Sequence, residues 1–196
     1  MSTESTRPYQ LKKRAQSMEA TRERITEAAM DLHGSVGPAR TTISAIAERA
    51  GVQRQTVYRH FADEYALFAA CSGHFAEDHP VPDIAAWRQI ADPQERLNHG
   101  LGELYAWYER TGYMWENIFR DEPLVEAIGP NLARLREYLA EAARALAQGW
   151  GRRKLLAAAT RHVVAFQTWQ SLTRDGDVTR DQAVELASAV VRQAAT

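Results

Sequence analysis

Apolar residues recur along most of this chain at the three- and four-residue spacing of an amphipathic helix. The first helix is predicted to begin near Glu19 and to end before Gly37-Pro38, because proline disfavours helical geometry in the residue before it. Its apolar face is formed by Ile25, Ala28, Ala29 and Leu32. No segment alternates between apolar and polar residues as a strand bounded by hairpin turns does, so the pattern predicts an all-α fold.

Further helical segments are separated by clusters of proline, glycine and aspartate that end or start helices. The predicted helices are residues 42–50, 52–60, 63–79, 93–112, 113–120, 123–148, 152–174 and 179–194. Two prolines in His79-Pro80-Val81-Pro82 mark a boundary between domains. We therefore expect a flexible basic arm at 1–18, one domain at 19–79 and a second helical domain at 80–196.

Composition narrows the class of protein. The 196 residues include a single cysteine, Cys71, which excludes an internal disulfide and which we expect to be a small buried apolar residue. No run of about twenty apolar residues is present, so we expect a cytoplasmic protein with no membrane partner. The net charge is -1, yet residues 1–61 carry ten Lys or Arg against six Asp or Glu, a weak indication of a polyanionic partner.

Residues 42–61 have the pattern of two short helices that cross through a tight turn, a helix-turn-helix. Ala47 is small enough for the helices to approach closely, and Gly51 can adopt the left-handed conformation that the turn requires. Ile46, Val52 and Val57 would complete the core between them. The rival interpretation is an ordinary helical hairpin.

The second of these helices carries a polar face that fits a DNA major groove. With Val52 and Val57 turned inward, the outward residues are Gln53, Arg54, Gln55, Thr56 and Arg59. Gln pairs with adenine and Arg with guanine, whereas Tyr58 and His60 suit contact with phosphates. The alternative is that this is only a solvated helix face.

Residues 41–52 (TTISAIAERAGV) and 56–61 (TVYRHF) resemble the N-terminal domain of TetR-family transcriptional regulators. The resemblance covers about residues 19–79. It implies a three-helix DNA-binding domain followed by a helical domain for ligand binding and dimerisation. The expected protein is a homodimer that binds operator DNA, usually as a repressor, until a small-molecule effector releases it. The resemblance also makes Thr42 and Ser44 candidate DNA contacts.

Two positions depart from the family pattern. Glu64 stands where many relatives have a phosphate-binding lysine, and Ile43 stands where a polar contact is common. Lys12, Lys13 and Arg14 of the arm could compensate by reaching the duplex. A tail with no role is an equally good interpretation of these residues.

Aromatic residues are concentrated in the second domain and suggest a cavity for an apolar or aromatic effector. The candidate ligand-binding residues are Trp107, Tyr108, Trp115, Phe119, His162 and Phe166, with Glu116 and Asn117 as possible polar partners. Ordinary core packing explains the same residues. By resemblance, the helices at 152–174 and 179–194 form the dimer interface, although their apolar stripes also suit packing within one chain.

Two other functions compete with DNA binding. The first is an enzyme, but no catalytic motif is present, and His74, Glu77, Asp78 and His79 crowd a helix end without a convincing metal-ligand spacing. We therefore predict neither catalysis, metal nor cofactor. The second rival is a protein-interaction module whose partner binds the Gln53 to Gln55 surface.

Overall fold

The computed structural model describes residues 6–151 and 153–196, with side chains described from residue 9 onward apart from residue 152. Within these residues the chain is helical and has no strand, which confirms the all-α prediction. The helices are α1 (Thr6–Ser35), α2 (Ile43–Arg49), α3 (Arg54–His60), α4 (Glu64–Asp78), α5 (Ile84–Arg88), α6 (Pro93–Asp121), α7 (Ile128–Ala147), α8 (Lys154–Val163), α9 (Phe166–Gln170) and α10 (Arg180–Ala195). In this part of the chain no helix combines the length and apolarity that a membrane crossing needs.

Two compact units make up the fold. Unit 1 comprises Met1–Asp78 and Asn117–Ile128, and unit 2 comprises His79–Glu116 and Gly129–Thr196. The sequence predicted a division between residues 79 and 80, but it assigned 117–128 to the second domain. Asn117 donates to the carbonyls of His33 and Gly34 at 3.1 and 2.7 Å, and these contacts hold residues 117–128 against the end of α1.

The core of unit 1 lies between α1, α2, α3 and α4. It is built from small and branched residues that the helices turn inward, namely Ile25, Ala28, Ala29, Ile46, Ala47, Ala50, Val57, Phe61, Leu67 and Cys71. Cys71 is 4% exposed and its thiol donates to the Thr26 carbonyl at 3.6 Å. Burial raises the pKa of this thiol to about 12, so Cys71 is an inert core residue, as predicted.

The first helix begins earlier than predicted. α1 is already helical at Thr6, so residues 6–18 are not the flexible arm that the sequence suggested, and the remaining arm residues 1–5 lie outside the described part of the chain. Nothing between Leu11 and Met18 breaks a helix, because the intervening residues are mostly Lys, Arg, Ala and Gln. Local propensity and continuity with the packed part of α1 therefore decide the conformation, although residues 9–20 are all exposed.

Three other helix boundaries differ from the sequence pattern. α6 runs through Gly112 without a break. After Glu122-Pro123 the chain forms a turn, in which the amides of Leu124 and Val125 donate to the Asp121 carbonyl. α7 therefore begins only at Ile128. α5 was not predicted at all; its N-cap is Asp83, whose carboxylate accepts from the Ala85 amide at 2.8 Å.

The predicted helix 152–174 is interrupted. Ala165 has extended backbone (φ -71°, ψ 140°), which separates α8 from α9, and α9 continues as a π-helix at Ser171–Asp175. The break leaves the carbonyls of Val163 and Val164 without the usual helical donors. The hydroxyls of Tyr105 and Tyr108 donate to them at 2.8 and 2.7 Å, so two side chains of α6 stabilise the interruption.

Candidate nucleic-acid interface and aromatic cluster

The turn between α2 and α3 has the geometry that a helix-turn-helix requires. Gly51 lies in the left-handed region at φ 65°, where a side chain would be strained. Its amide donates to Glu48 O at 3.1 Å, and the amide of Val52 donates to Ala47 O at 2.9 Å, which together form a Schellman cap. Ala47 is only 4% exposed and belongs to the core of unit 1.

α3 presents a polar surface on a buried anchor. Val57 is 1% exposed and fixes the inner face of the helix, whereas Gln53, Arg54 and Gln55 are exposed and Thr56 is half-buried beside them. We call Gln53 to Thr56 the reading surface. The helix is seven residues long, about 10 Å, which fits across a major groove.

Arg54 is held in place by the side chain one turn further along α3. Its Nη2 donates to Tyr58 Oη at 3.0 Å, and the guanidinium carbon lies 5.6 Å from the centre of the Tyr58 ring. Tyr58 is half exposed. This pair limits the rotamers of the longest side chain on the reading surface, so less conformational entropy is lost when Arg54 binds a partner.

His60 is less accessible than the sequence suggested. Its ring is half-buried, and Nε2 is buried with no hydrogen-bond partner among the described residues. Burial lowers the pKa of the imidazole, and the cations of Arg59 and Arg22 lower it further against the opposing effect of Glu19, so the neutral form of the ring is favoured. A neutral, half-buried imidazole is a weaker phosphate ligand than the exposed Tyr58 hydroxyl.

The remaining predicted DNA contacts lie at the start of α2. Thr42 is its N-cap and accepts from the Ala45 amide at 3.1 Å, while Ser44 is exposed in the first turn. The N-terminal end of a helix carries a partial positive charge that suits a phosphate. Ile43 is half-buried and packs against the core of unit 1, which gives it a structural role, and Glu64 is exposed at the start of α4.

Residues 25–71 match the family model described as bacterial regulatory proteins, tetR family. The chain carries the DNA-binding domain of the tetR family. No curated protein matches the sequence. The match begins at Ile25 in α1 and ends at Cys71 in α4, and it therefore contains the reading surface and both helices of the helix-turn-helix.

Solved structures share the fold of this chain over most of its length. A TetR family transcription regulator from Marinobacter aquaeolei VT8 is 17% identical, with a TM-score of 0.60 over 92% of this chain and 97% of the other. A TetR-like transcriptional regulator from Rhodococcus sp. RHA1 is 20% identical, with a TM-score of 0.61 and coverage of 87% and 93%. The multidrug binding protein EbrR, solved with imidazole, is 22% identical, with a TM-score of 0.56 and coverage of 86% and 93%.

Unit 2 contains a cluster of aromatic rings. Tyr108 lies 5.3 Å from Trp107, 5.4 Å from Phe166 and 5.7 Å from Trp169 between ring centres, and Trp115 lies 5.5 Å from Trp107. Apart from Trp115 these rings are at most 2% exposed. Four predicted ligand residues, Trp107, Tyr108, Trp115 and Phe166, thus come together in one cluster with Trp169.

The other predicted ligand residues lie elsewhere. His162 is exposed on α8, because it precedes the buried Val163 by one residue, which is about 100° around the helix. Phe119 and Asn117 belong to unit 1, and Asn117 is occupied by the end of α1. Glu116 is exposed and forms an ion pair with Arg174 at 3.2 Å.

Sequence reasoning missed two features of unit 2. Trp169 joins the ring cluster although it was not among the candidate ligand-binding residues; its spacing of three from Phe166 was the available signal. An open groove of about 270 Å³ lies between α6 and α10 and is lined by Asn98, Gly102, Asp181, Val184, Glu185 and Arg192. No local pattern indicates this groove, since it depends on how the two helices pack.

Proposed function

We propose that this protein is a homodimeric, sequence-specific DNA-binding repressor that a small-molecule effector releases from its operator. The observation that carries the proposal is the reading surface: Gln53, Arg54 and Gln55 are exposed at the start of α3, on a helix fixed by the Gly51 cap and by buried Val57. In the major groove, Gln53 or Gln55 would pair with adenine and Arg54 with guanine. Thr42, Ser44 and Tyr58 would position the helix on phosphates.

An apolar stripe on unit 2 supports dimerisation. Leu155 on α8 is 66% exposed, and Leu186 and Val190 on α10 are 49% and 48% exposed. Burial of such residues against a symmetry mate is favourable by about 25 cal/mol per Å². In contrast, Ala159, Phe166 and Ala183, which lie on the two helical segments of the predicted dimer interface, are buried within the protomer, so only part of each segment is available to a partner.

Effector control is proposed as a population shift. An effector that binds unit 2 more tightly in one conformation would favour that conformation, move α4, and change the spacing of the two reading surfaces in the dimer. The aromatic cluster favours an apolar or aromatic effector, and the similarity to a multidrug binding protein fits the same chemistry. By linkage, operator DNA must weaken effector binding by the same factor.

Selection from a random duplex pool at low salt tests DNA binding. We expect enrichment of a twofold-symmetric site whose half-sites are one helical turn, about 34 to 36 Å, apart or a multiple of this. A variant with Gln53, Arg54 and Gln55 all changed to Ala is the control and should enrich nothing. Failure of the wild-type protein to enrich any sequence would exclude the function, and a single unrepeated half-site would exclude the dimeric mode.

Effector binding can be followed in unit 2 alone, because all the tryptophans (Trp87, Trp107, Trp115, Trp150 and Trp169) belong to that unit. A library of planar aromatic compounds is screened by tryptophan fluorescence, and each ligand is titrated with and without the selected operator. We expect the operator to lower ligand affinity and the ligand to lower operator affinity. Equal ligand affinities in the two titrations would contradict effector release.

A further inference from the structure

The N-terminal part of α1 continues as a helix beyond the core of unit 1. Residues 9–20, which we call the basic extension, are all exposed and carry Lys12, Lys13 and Arg14. Tyr9, Leu11 and Met18 are also exposed, by 67%, 63% and 53%. A helical segment that buries so little surface adds little to the stability of unit 1. Packing within the fold therefore does not explain why three cations lie together on it.

Contacts within unit 1 give the direction in which the extension runs. Near its C-terminal end, α1 is held by residues 117–121, with Asn117 bonded to the carbonyls of His33 and Gly34. Eleven residues earlier, Arg22 donates to the His60 carbonyl at the end of α3. α1 thus passes from the 117–121 segment to the end of the reading helix, and the basic extension continues past that end.

The length of the extension places its charges past the end of the reading helix. Lys12 to Arg14 precede Arg22 by eight to ten residues, which at 1.5 Å per residue is about 12 to 15 Å along the helix. Three consecutive residues span about 200° around a helix, so two of the three cations can face one surface. Cations at this distance from a helix in the major groove are in reach of neighbouring phosphates.

We propose that the basic extension binds the sugar-phosphate backbone of the operator next to the major groove that α3 reads. This proposal rests on the proposed DNA-binding function. It also explains how the chain tolerates Glu64, an acid at the start of α4. The extension supplies cations from a preformed helix, so binding loses less entropy than it would with a flexible arm.

The test measures operator affinity as a function of salt for the full-length protein and for K12Q/K13Q/R14Q. Each phosphate contact contributes about -0.9 to the slope of log K against log salt. We expect the slope of the triple variant to be smaller in magnitude by about one to two, with the two affinities converging as the salt concentration approaches 1 M. The matched control is R110Q/R134Q/R144Q, which removes three exposed cations from unit 2 and should leave the slope unchanged.

A second variant tests the helix itself. Ala15→Pro keeps all three cations but breaks α1 beside them, because proline clashes with the carbonyl of Leu11. We expect its slope to fall toward that of the triple variant, and circular dichroism should show the loss of helix. An unchanged slope in Ala15→Pro would overturn presentation by a helix.

The outcomes separate this proposal from the function on which it rests. If the wild type binds no duplex, the DNA-binding function fails and this inference fails with it. If the wild type binds its operator and K12Q/K13Q/R14Q has the same slope, only the inference is overturned. Co-sedimentation with anionic lipid vesicles that depends on Lys12 to Arg14, together with an unchanged DNA slope, would identify a membrane surface as the partner instead.

Discussion

Arg22 joins the middle of α1 to the end of α3: its guanidinium donates to the His60 carbonyl at 2.8 Å, and its central carbon lies 4.2 Å from the centre of the Phe61 ring. The His60 carbonyl is among the last of α3 and has no donor within that helix. One side chain of α1 therefore caps the reading helix and also packs against the core residue that follows it.

Arg22→Met should destabilise unit 1 by about 1 to 2 kcal/mol. The substitution keeps an apolar side chain of similar length but removes a charged hydrogen bond and a cation–π contact. Operator affinity should fall as well, because the C-terminal turn of α3 frays. Chemical unfolding and operator titration measure the two effects.

Arg24→Met is the matched control for this variant. Arg24 is exposed two residues further along α1, so the same change should leave the free energy of unfolding within about 0.5 kcal/mol of wild type. Equal stability of the two variants would show that the Arg22 cap contributes nothing.

Arg54→Ala should weaken operator binding by about 1 to 3 kcal/mol and relax the preference at one base position. Arg54 is exposed and held by Tyr58, so its removal leaves the fold of unit 1 unchanged. Binding to a panel of operators with single base changes gives both quantities. Arg110→Ala, an exposed cation of unit 2, controls for net charge, and a uniform loss over the whole panel would identify Arg54 as a phosphate contact instead.

Two glycines of α6 should respond in opposite directions to alanine. At Gly102 a Cβ atom would have no neighbour within 4 Å, so alanine stabilises the helix interior by about 0.5 to 1 kcal/mol. At Gly112 the Cβ atom would lie 2.9 and 3.0 Å from two ring atoms of Trp169. Such overpacking lowers the free energy of unfolding by about 1 to 3 kcal/mol, which exceeds the gain in helix stability from alanine.

Thermal unfolding of Gly102→Ala and Gly112→Ala tests this pair. A change of 1 kcal/mol shifts the midpoint of a protein of this size by about 2 to 4 °C. We expect a higher midpoint for Gly102→Ala and a lower one for Gly112→Ala. Stabilisation by both substitutions would mean that the Trp169 ring moves aside freely.

Stability should fall as the pH drops from about 6.5 toward 4. Burial lowers the pKa of His33 to about 4, despite the opposing effect of Asp121, whereas the unfolded residue titrates at 6.5. Unfolding therefore takes up a proton between pH 4 and 6.5. The free energy of unfolding falls by about 1.4 kcal/mol for each pH unit of acidification in this window. The Arg120 hydrogen bond holds the pKa of Asp121 below its usual value, so that carboxylate stays ionised in this window.

His33→Gln provides the comparison, because glutamine does not titrate. We expect a lower free energy of unfolding at pH 7, since the stacking of His33 on Phe68 is lost, but a smaller slope between pH 6 and 4.5. Denaturant unfolding at closely spaced pH values measures both. Identical slopes for the variant and the wild type would assign the pH dependence to other groups.

The sequence by itself determined the helix-turn-helix. Ala47, Gly51 and Val57 act through contacts within some ten residues, and the Asp63 cap of α4 and the break at the double proline are equally local. Such features depend on backbone geometry that neighbouring residues impose, so their spacing predicts both the fold class and the exposed reading surface.

Tertiary structure alone decided which side chains of distant segments meet. The contact of Asn117 with the end of α1 and the contact of Trp169 with Tyr108 each join residues that are more than fifty positions apart in the sequence. The same holds for the break at Ala165, which two tyrosines of α6 stabilise. Periodicity shows which face of a helix is apolar, but the partner of that face and the space left between them follow only from packing.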